Sequence, residues 1–169
     1  MSIIIRRLAA TDSPAELTSL LHAAYAGLAA QGFNYTAVDQ GVEVTRGRLS
    51  SGDAFVAAEG SRLIGTILVL PLTADRPYYD RPETASISQF GVHPDCHGSG
   101  VGGALLAAAE DHAAGLGATQ VILNTAEGAH ALIGWYARRG YRVAGHLQHD
   151  GKVYRSVILA KDLPPASAG

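Results

Sequence analysis

The sequence predicts an α/β domain of the α+β type, with a mixed, mostly antiparallel sheet of about six to seven strands flanked by about four helices. Three observations predict it. Two apolar runs, 54–58 and 63–70, are joined by Glu59-Gly60-Ser61 in the manner of a hairpin. From Thr84 onward, strand-like and helix-like segments alternate, which places helices on both faces of the sheet. A glycine-rich turn occupies one strand-to-helix junction, within 90–106.

The elements follow in order. Residues 3–8 read as an opening strand. Ser13-Pro14-Ala15-Glu16 signals a helix start, with Ser13 as cap, Pro14 at the first position and Glu16 closing a capping box. Leu17, Leu20, Leu21, Ala24 and Leu28 then recur at helical spacing and mark one buried face. Residues 31–36 read as a loop carrying Phe33 and Tyr35, and 42–49 as a weaker helix. After the hairpin, 71–82 is polar and holds three prolines, so it reads as a surface loop. A strand at 84–92, a helix at 100–116 ended by Gly117 and a strand at 119–124 come next. A helix at 129–139 stops at Gly140, and strands at 141–147 and 153–160 turn at Asp150-Gly151.

The 169 residues suffice for one domain, placed at 1–163, with 164–169 as a frayed tail. Apolar residues make up 47% and charged ones 17%, a globular balance. Thirteen basic against fifteen acidic residues give a net charge of −2, without the basic excess of a general nucleic-acid binder. Cys96 is the single cysteine, so no internal disulfide is available. The apolar run at 3–5 is too short for a signal core, and no apolar stretch of about 20 residues exists. These features predict a cytoplasmic protein with no membrane or nucleic-acid partner and no metal.

The central text runs Phe90-Gly91-Val92-His93-Pro94-Asp95-Cys96-His97-Gly98-Ser99-Gly100-Val101-Gly102-Gly103. Glycines let successive N–H groups converge on an anion, and a helix N-terminus adds partial positive charge. The pattern therefore suits a pyrophosphate without any lysine. Gly98, Gly100 and Gly103 also match the dinucleotide pattern G-x-G-x-x-G. That pattern follows its strand at once, however, and has an acid for the ribose about 20 residues on, where this chain has Gln120 and Val121. No Gly-Lys-Ser/Thr follows, so the Walker pattern fails. A merely tight turn is the plainest alternative.

The segment resembles the pyrophosphate loop of the GCN5-related N-acetyltransferase superfamily, Q/R-x-x-G-x-G/A after a strand ending in hydrophobic-x-Val-x-Pro. Phe90 to Pro94 supplies the strand end, and His97-Gly98-Ser99-Gly100-Val101-Gly102 the loop. His97 stands where the family has Arg or Gln, which predicts weaker or more pH-sensitive binding of CoA. The family's next motif, N-x-x-A-x-x-L-Y-x-K-x-G-F, is matched at its end, by Tyr136, Arg138 and Gly140-Tyr141. At its start Ala129 replaces Asn and Leu132 replaces Ala. The order of elements from 3 to 160 follows the family too.

The resemblance implies a GNAT-like fold and an enzyme that transfers the acetyl group of acetyl-CoA directly to a primary amine of a small molecule or peptide. It assigns the cofactor site to Phe90, Gly91, Val92, His97, Gly98, Ser99, Gly100, Val101, Gly102, Gly103 and Asn124. In the family the pantetheine arm lies in the gap where the strand before the loop splays from its neighbour. Tyr136 becomes the candidate general acid for the departing thiolate, its phenol pKa near 10 being close to that of a thiol. The base stays unassigned among Ser86, where some relatives carry glutamate, Glu83, His146, His149 and a water relay. Cys96 is discounted as a nucleophile because it lies beside the pyrophosphate end. Asn34 and Tyr35 are candidate acceptor contacts, with the 71–82 loop, its Tyr78 and Tyr79, and the late hairpin as further sources of specificity. Many relatives pair, so a homodimer is an allowed assembly. The rival function is a non-catalytic acyl-CoA-binding sensor or interaction module of the same fold.

Overall fold

The computed structural model describes residues 2–71 and 82–165. Tyr78 and Tyr79 of the expected loop, and 166–169 of the expected tail, lie outside the described residues. Along the chain run β1 (Ile3–Arg7), α1 (Pro14–Ala30), α2 (Thr36–Asp39), α3 (Val42–Leu49), β2 (Asp53–Glu59), β3 (Arg62–Leu70), β4 (Thr84–Val92), α4 (Val101–Gly115), β5 (Gln120–Ala126), α5 (His130–Ala137), β6 (Arg142–Leu147) and β7 (Ser156–Asp162). Among the described residues the strands form a seven-stranded sheet in the order β1-β2-β3-β4-β5-β7-β6. The β4–β5 pair is parallel and the other pairs are antiparallel. This is the mixed sheet that the hairpin-then-alternation pattern predicts.

Local chemistry sets the elements. Ser13 Oγ accepts from Glu16 N–H at 3.1 Å and caps α1, with Pro14 in the first turn. The predicted capping box is only half formed. The Glu16 carboxylate accepts from Leu63 N–H at 3.0 Å, so it ties α1 to β3 instead of returning to Ser13. Residues 36–39, next to the predicted loop at 31–36, wind into α2. The late hairpin also differs from its prediction. β6 ends at Leu147 and β7 begins at Ser156, so Asp150-Gly151 belongs to a wide loop, not a two-residue turn. Gln148 holds that loop through bonds from its amide to the carbonyls of His149, Lys152 and Tyr154.

The central strands are buried on both faces, as their near-continuous apolar text requires. Val56, Ala58 and Leu63 pack against Leu17 and Leu20 of α1. Ala57, Ile64 and Ile67 join Leu105, Leu106, Ala109 and Ala113 of α4, with Tyr136 of α5, in the larger core.

Two irregularities in β4 prepare the site. It pairs with β5 only over Thr84–Ser86 against Gln120–Ile122, after which the two strands part. Opposite β3 its register shifts between Leu68↔Ser88 and Thr66↔Gly91, so Gln89 and Phe90 bulge. Gln89 takes φ 45°, and Tyr25 donates a hydrogen bond to Phe90 O at 2.8 Å across the bulge. Gly91 lets α1 lie against this stretch, since an added Cβ would meet Ala24 Cβ at 2.9 Å. Gly91→Ala is expected to push α1 off β4 and lower stability by about 1–3 kcal/mol, measured by chemical denaturation.

Candidate active site

A short 3-10 turn, Pro94–Cys96, leads from β4 to the glycines. Gly98 at φ 79° and Gly100 at φ 89° sit in the left-handed region, and Gly100 is the N-cap of α4. The first bond inside α4 runs from Ala104 N–H to Gly100 O at 3.1 Å. The N–H groups of Val101, Gly102 and Gly103 therefore precede any intrahelical acceptor. They stand at the positive end of a helix whose first turn carries no acidic residue, which makes an anion cradle.

The side chains around the cradle have separate duties. His97 donates from Nε2 to Val92 O at 2.9 Å, and Ser99 donates to Cys96 O. Both thus hold the loop's own backbone. Trp135 backs Gly102, at 3.3 Å from where a Cβ would stand, and the Arg139 guanidinium lies 3.7 Å from the same position on Gly103. Arg139 stacks 3.6 Å above the Trp135 ring and donates to Trp135 O at 2.9 Å. Reading the motif through Arg138 missed this cation. The Trp135–Arg139 spacing of one helical turn was the available signal. Cys96 is half-buried against the core beside this end.

Where β4 and β5 part, a cavity of about 450 Å³ opens. Phe90, Asn124, Tyr35 and Tyr136 line it, so these four predicted residues meet there. Tyr136 is buried among Phe90, Trp135 and Tyr141 in edge-to-face contacts, with ring centroids 6.3, 5.1 and 5.4 Å away. Its phenol is pushed well above the ordinary value, by burial first and then by the neighbouring Tyr25 and Tyr35. Tyr35 bridges to the parted strand, pairing with Thr125 Oγ1 at 2.8 Å and accepting from Ala126 N–H at 3.0 Å. Tyr154 completes the aromatic wall, its phenol pushed up to about 12 by burial and by Tyr35.

Asn124 donates from Nδ2 to His149 Nε2 at 3.2 Å, while its Oδ1 is buried with no partner among the described residues. Asn34, expected at the acceptor, is not among the residues that line the cavity. Its amide clamps the late loop, donating to Gly151 O at 2.8 Å and accepting from Val153 N–H at 3.0 Å. Of the base candidates, Ser86 and His149 line the cavity. His146 instead faces Glu127 at 3.9 Å, and Glu83 is exposed before β4.

A buried polar network fixes the bulge from behind. Gln40 donates from Nε2 to Gln89 Oε1 at 2.7 Å and to Thr45 Oγ1 at 2.8 Å, and Thr45 meets Thr18 at 2.6 Å. Gln40 Oε1 accepts from Arg48 Nη1 at 3.0 Å, and Arg48 also donates to Ser88 Oγ. None of these polar residues stood out in the sequence, because Gln and Thr on a helix flank read as surface.

A family model described as the acetyltransferase (GNAT) family matches residues 20–141. No curated protein matches the chain. Among solved structures, a Pyrococcus horikoshii protein superposes with a TM-score of 0.76 at 22% identity, covering 96% of this chain and 99% of its own. A GNAT family acetyltransferase from Elizabethkingia anophelis with acetyl-CoA bound gives 0.67 at 19%, covering 95% and 98%. The ribosomal-protein-S18-alanine N-acetyltransferase of Escherichia coli gives 0.70 at 18%, covering 99% and 97%.

The network generates a test of its own. Gln40→Leu strands the buried Gln89 Oε1 and removes one bond each from Thr45 and Arg48, and is expected to destabilise the fold by about 1–3 kcal/mol in urea denaturation.

Proposed function

The chain belongs to the acetyltransferase (GNAT) family, and we propose that it transfers the acetyl group of acetyl-CoA directly to a primary amine of a small molecule or peptide. The observation that carries this reading is the parting of β4 from β5 beside Tyr136, immediately upstream of the N–H cradle on α4. The described residues suit the group. The cradle offers N–H donors and a helix terminus to a pyrophosphate. Arg139 adds a cation at the same end. The β4 edge left by β5 can pair with the amides of a pantetheine arm as with an added strand. The unpartnered Asn124 Oδ1 offers a further acceptor in the gap.

Acetyl-CoA supplies the thioester whose carbonyl carbon is attacked. The bulged backbone at Gln89 and Phe90 provides N–H groups where charge develops on the carbonyl oxygen. The amine nitrogen forms the new C–N bond as the C–S bond breaks, and its surplus proton passes to solvent at the open mouth of the cavity. Tyr136 gives its phenolic proton to the departing sulfur. Burial keeps that phenol protonated at neutral pH and so available as a donor, while it also raises the phenol above the match with a thiol that the sequence suggested.

Three experiments test this. In thermal shift, acetyl-CoA and CoA are expected to raise Tm, whereas NAD is not. Stabilisation by NAD alone would overturn the reading. Thiol release across a panel of amines then separates turnover from a binding module, which would be stabilised by acetyl-CoA yet release CoA with none of them. Tyr136→Phe is expected to lower kcat on the order of 10²-fold with little change in acetyl-CoA affinity. An unchanged kcat would make Tyr136 a packing residue only.

A further inference from the structure

We infer that the acceptor amine carries a carboxylate or another oxyanion, recognised by Arg48 in the cavity wall; this rests on the acetyltransfer reading above.

Arg48 comes from α3 and lines the cavity while being half-buried. No carboxylate faces it among the described residues. Its two bonds go to neutral acceptors, Gln40 Oε1 and Ser88 Oγ. A guanidinium has five N–H donors, so most of its hydrogen-bonding capacity remains for a ligand. Burial pulls its pKa down, as expected of a cation in a poorly solvated place without a counter-charge. Anchoring α3 to β4 would need only the two neutral bonds. A charge kept half-buried and uncompensated serves better as the receptor of an anion.

The other charged groups around the cavity agree. Lys152 also lines it, its ammonium held by Asn34 O at 2.7 Å and Thr36 Oγ1 at 3.1 Å. Burial and then the Arg48 charge hold Lys152 below its ordinary value, against a raising effect from Asp39. Asp150 is the carboxylate on the lining, and it is exposed. The remaining titratable walls are phenols and His149. The interior is therefore cationic, a poor fit for a polyamine or another polycation and a good one for an acidic amine.

Position sets the size of the ligand. Arg48 is bonded to Ser88, and the bulge that would hold the reacting carbonyl begins one residue later. Ser88 and Phe90 flank Gln89 of the bulge, so they stand at most roughly 7 Å apart, the limit an extended strand would set. One small amino acid can place its acidic end at the guanidinium and its amine at the thioester.

The test compares acids with neutral counterparts. The common α-amino acids, β-alanine, 4-aminobutyrate and aminomethylphosphonate are assayed for thiol release, each beside an amine in which the acidic group is an amide or absent. Preference for the acid of at least about tenfold in kcat/KM is expected for the accepted skeleton. The phosphonate arm tells carboxylate from phosphorus oxyanion. Arg48→Gln is expected to raise KM for the acid on the order of 10²-fold more than it raises KM for the amide, and Arg48→Lys to restore part of the difference. As a readout apart from turnover, the N-acetylated acid with CoA is expected to raise the Tm of the wild type more than the N-acetylated amide does. Should neither variant fold, the wild-type comparison decides alone. Equal or better use of the amides overturns the inference and leaves the acetyltransferase standing. Turnover of none of the panel, with acetyl-CoA still stabilising the fold, also removes this substrate class. Loss of stabilisation by acetyl-CoA removes the function reading itself.

Discussion

The molecule is organised around one interruption: two neighbouring parallel strands that hydrogen-bond for three residues each, Thr84–Ser86 against Gln120–Ile122, and then separate. Separation inside a sheet leaves backbone donors and acceptors facing a gap, and such groups must find partners. β4 stays anchored to β3 on its other side, and β5 is carried off by β7 along its full length. The gap therefore cannot close by re-pairing. A ligand able to pair with a strand edge becomes the natural completion of the sheet.

Everything near the gap keeps it open in one shape. The bulge at Gln89 and Phe90 re-aims β4, and a non-glycine residue at φ 45° persists only because its surroundings insist on it. Here the surroundings are the Gln40 amide behind it and the Tyr25 hydroxyl across it. α4 is laid against β3 so closely that a Cβ on Gly65 would meet Leu105 Cδ1 at 2.8 Å. That contact fixes where the helix, and the N–H groups at its start, stand relative to the strand. Strand edge, cradle and phenol are thus positioned by packing that none of them contributes alone.

The sequence disclosed most of the frame because the frame is made of periodic and conformational signals. Near-continuous apolar runs marked β2 and β3, Ser13-Pro14 marked α1, and the glycines at 98 and 100 permitted the left-handed φ of a tight turn. The resemblance brought Phe90, Tyr136 and Asn124 to one place, and the cavity does hold all three. What stayed hidden was tertiary. Asn34 reads as a plausible ligand contact until its partners in a loop more than a hundred residues away are visible. Thr45 and Arg48 read as an ordinary polar helix, and Gln40 as a residue ahead of it, since no local pattern records that they lie over a bulge. His97 follows a motif position while its ring is turned to the end of its own strand.

The clamp at Asn34 has a consequence for how the protein breathes. The wall bearing His149, Lys152 and Tyr154 is fastened to the rest by polar bonds at Asn34, Lys152 and Asn124 and by ring contacts of Tyr154 with Phe33 and Tyr35, with Val153 left mostly exposed. β3 and β4, in contrast, sit under helices with their apolar side chains buried. Local opening is governed by how much apolar area and hydrogen bonding must be released. That wall is accordingly expected to open more readily than the central strands against which α4 and its cradle are packed. Amide protons in that wall are expected to exchange through partial openings, ahead of those in the central strands.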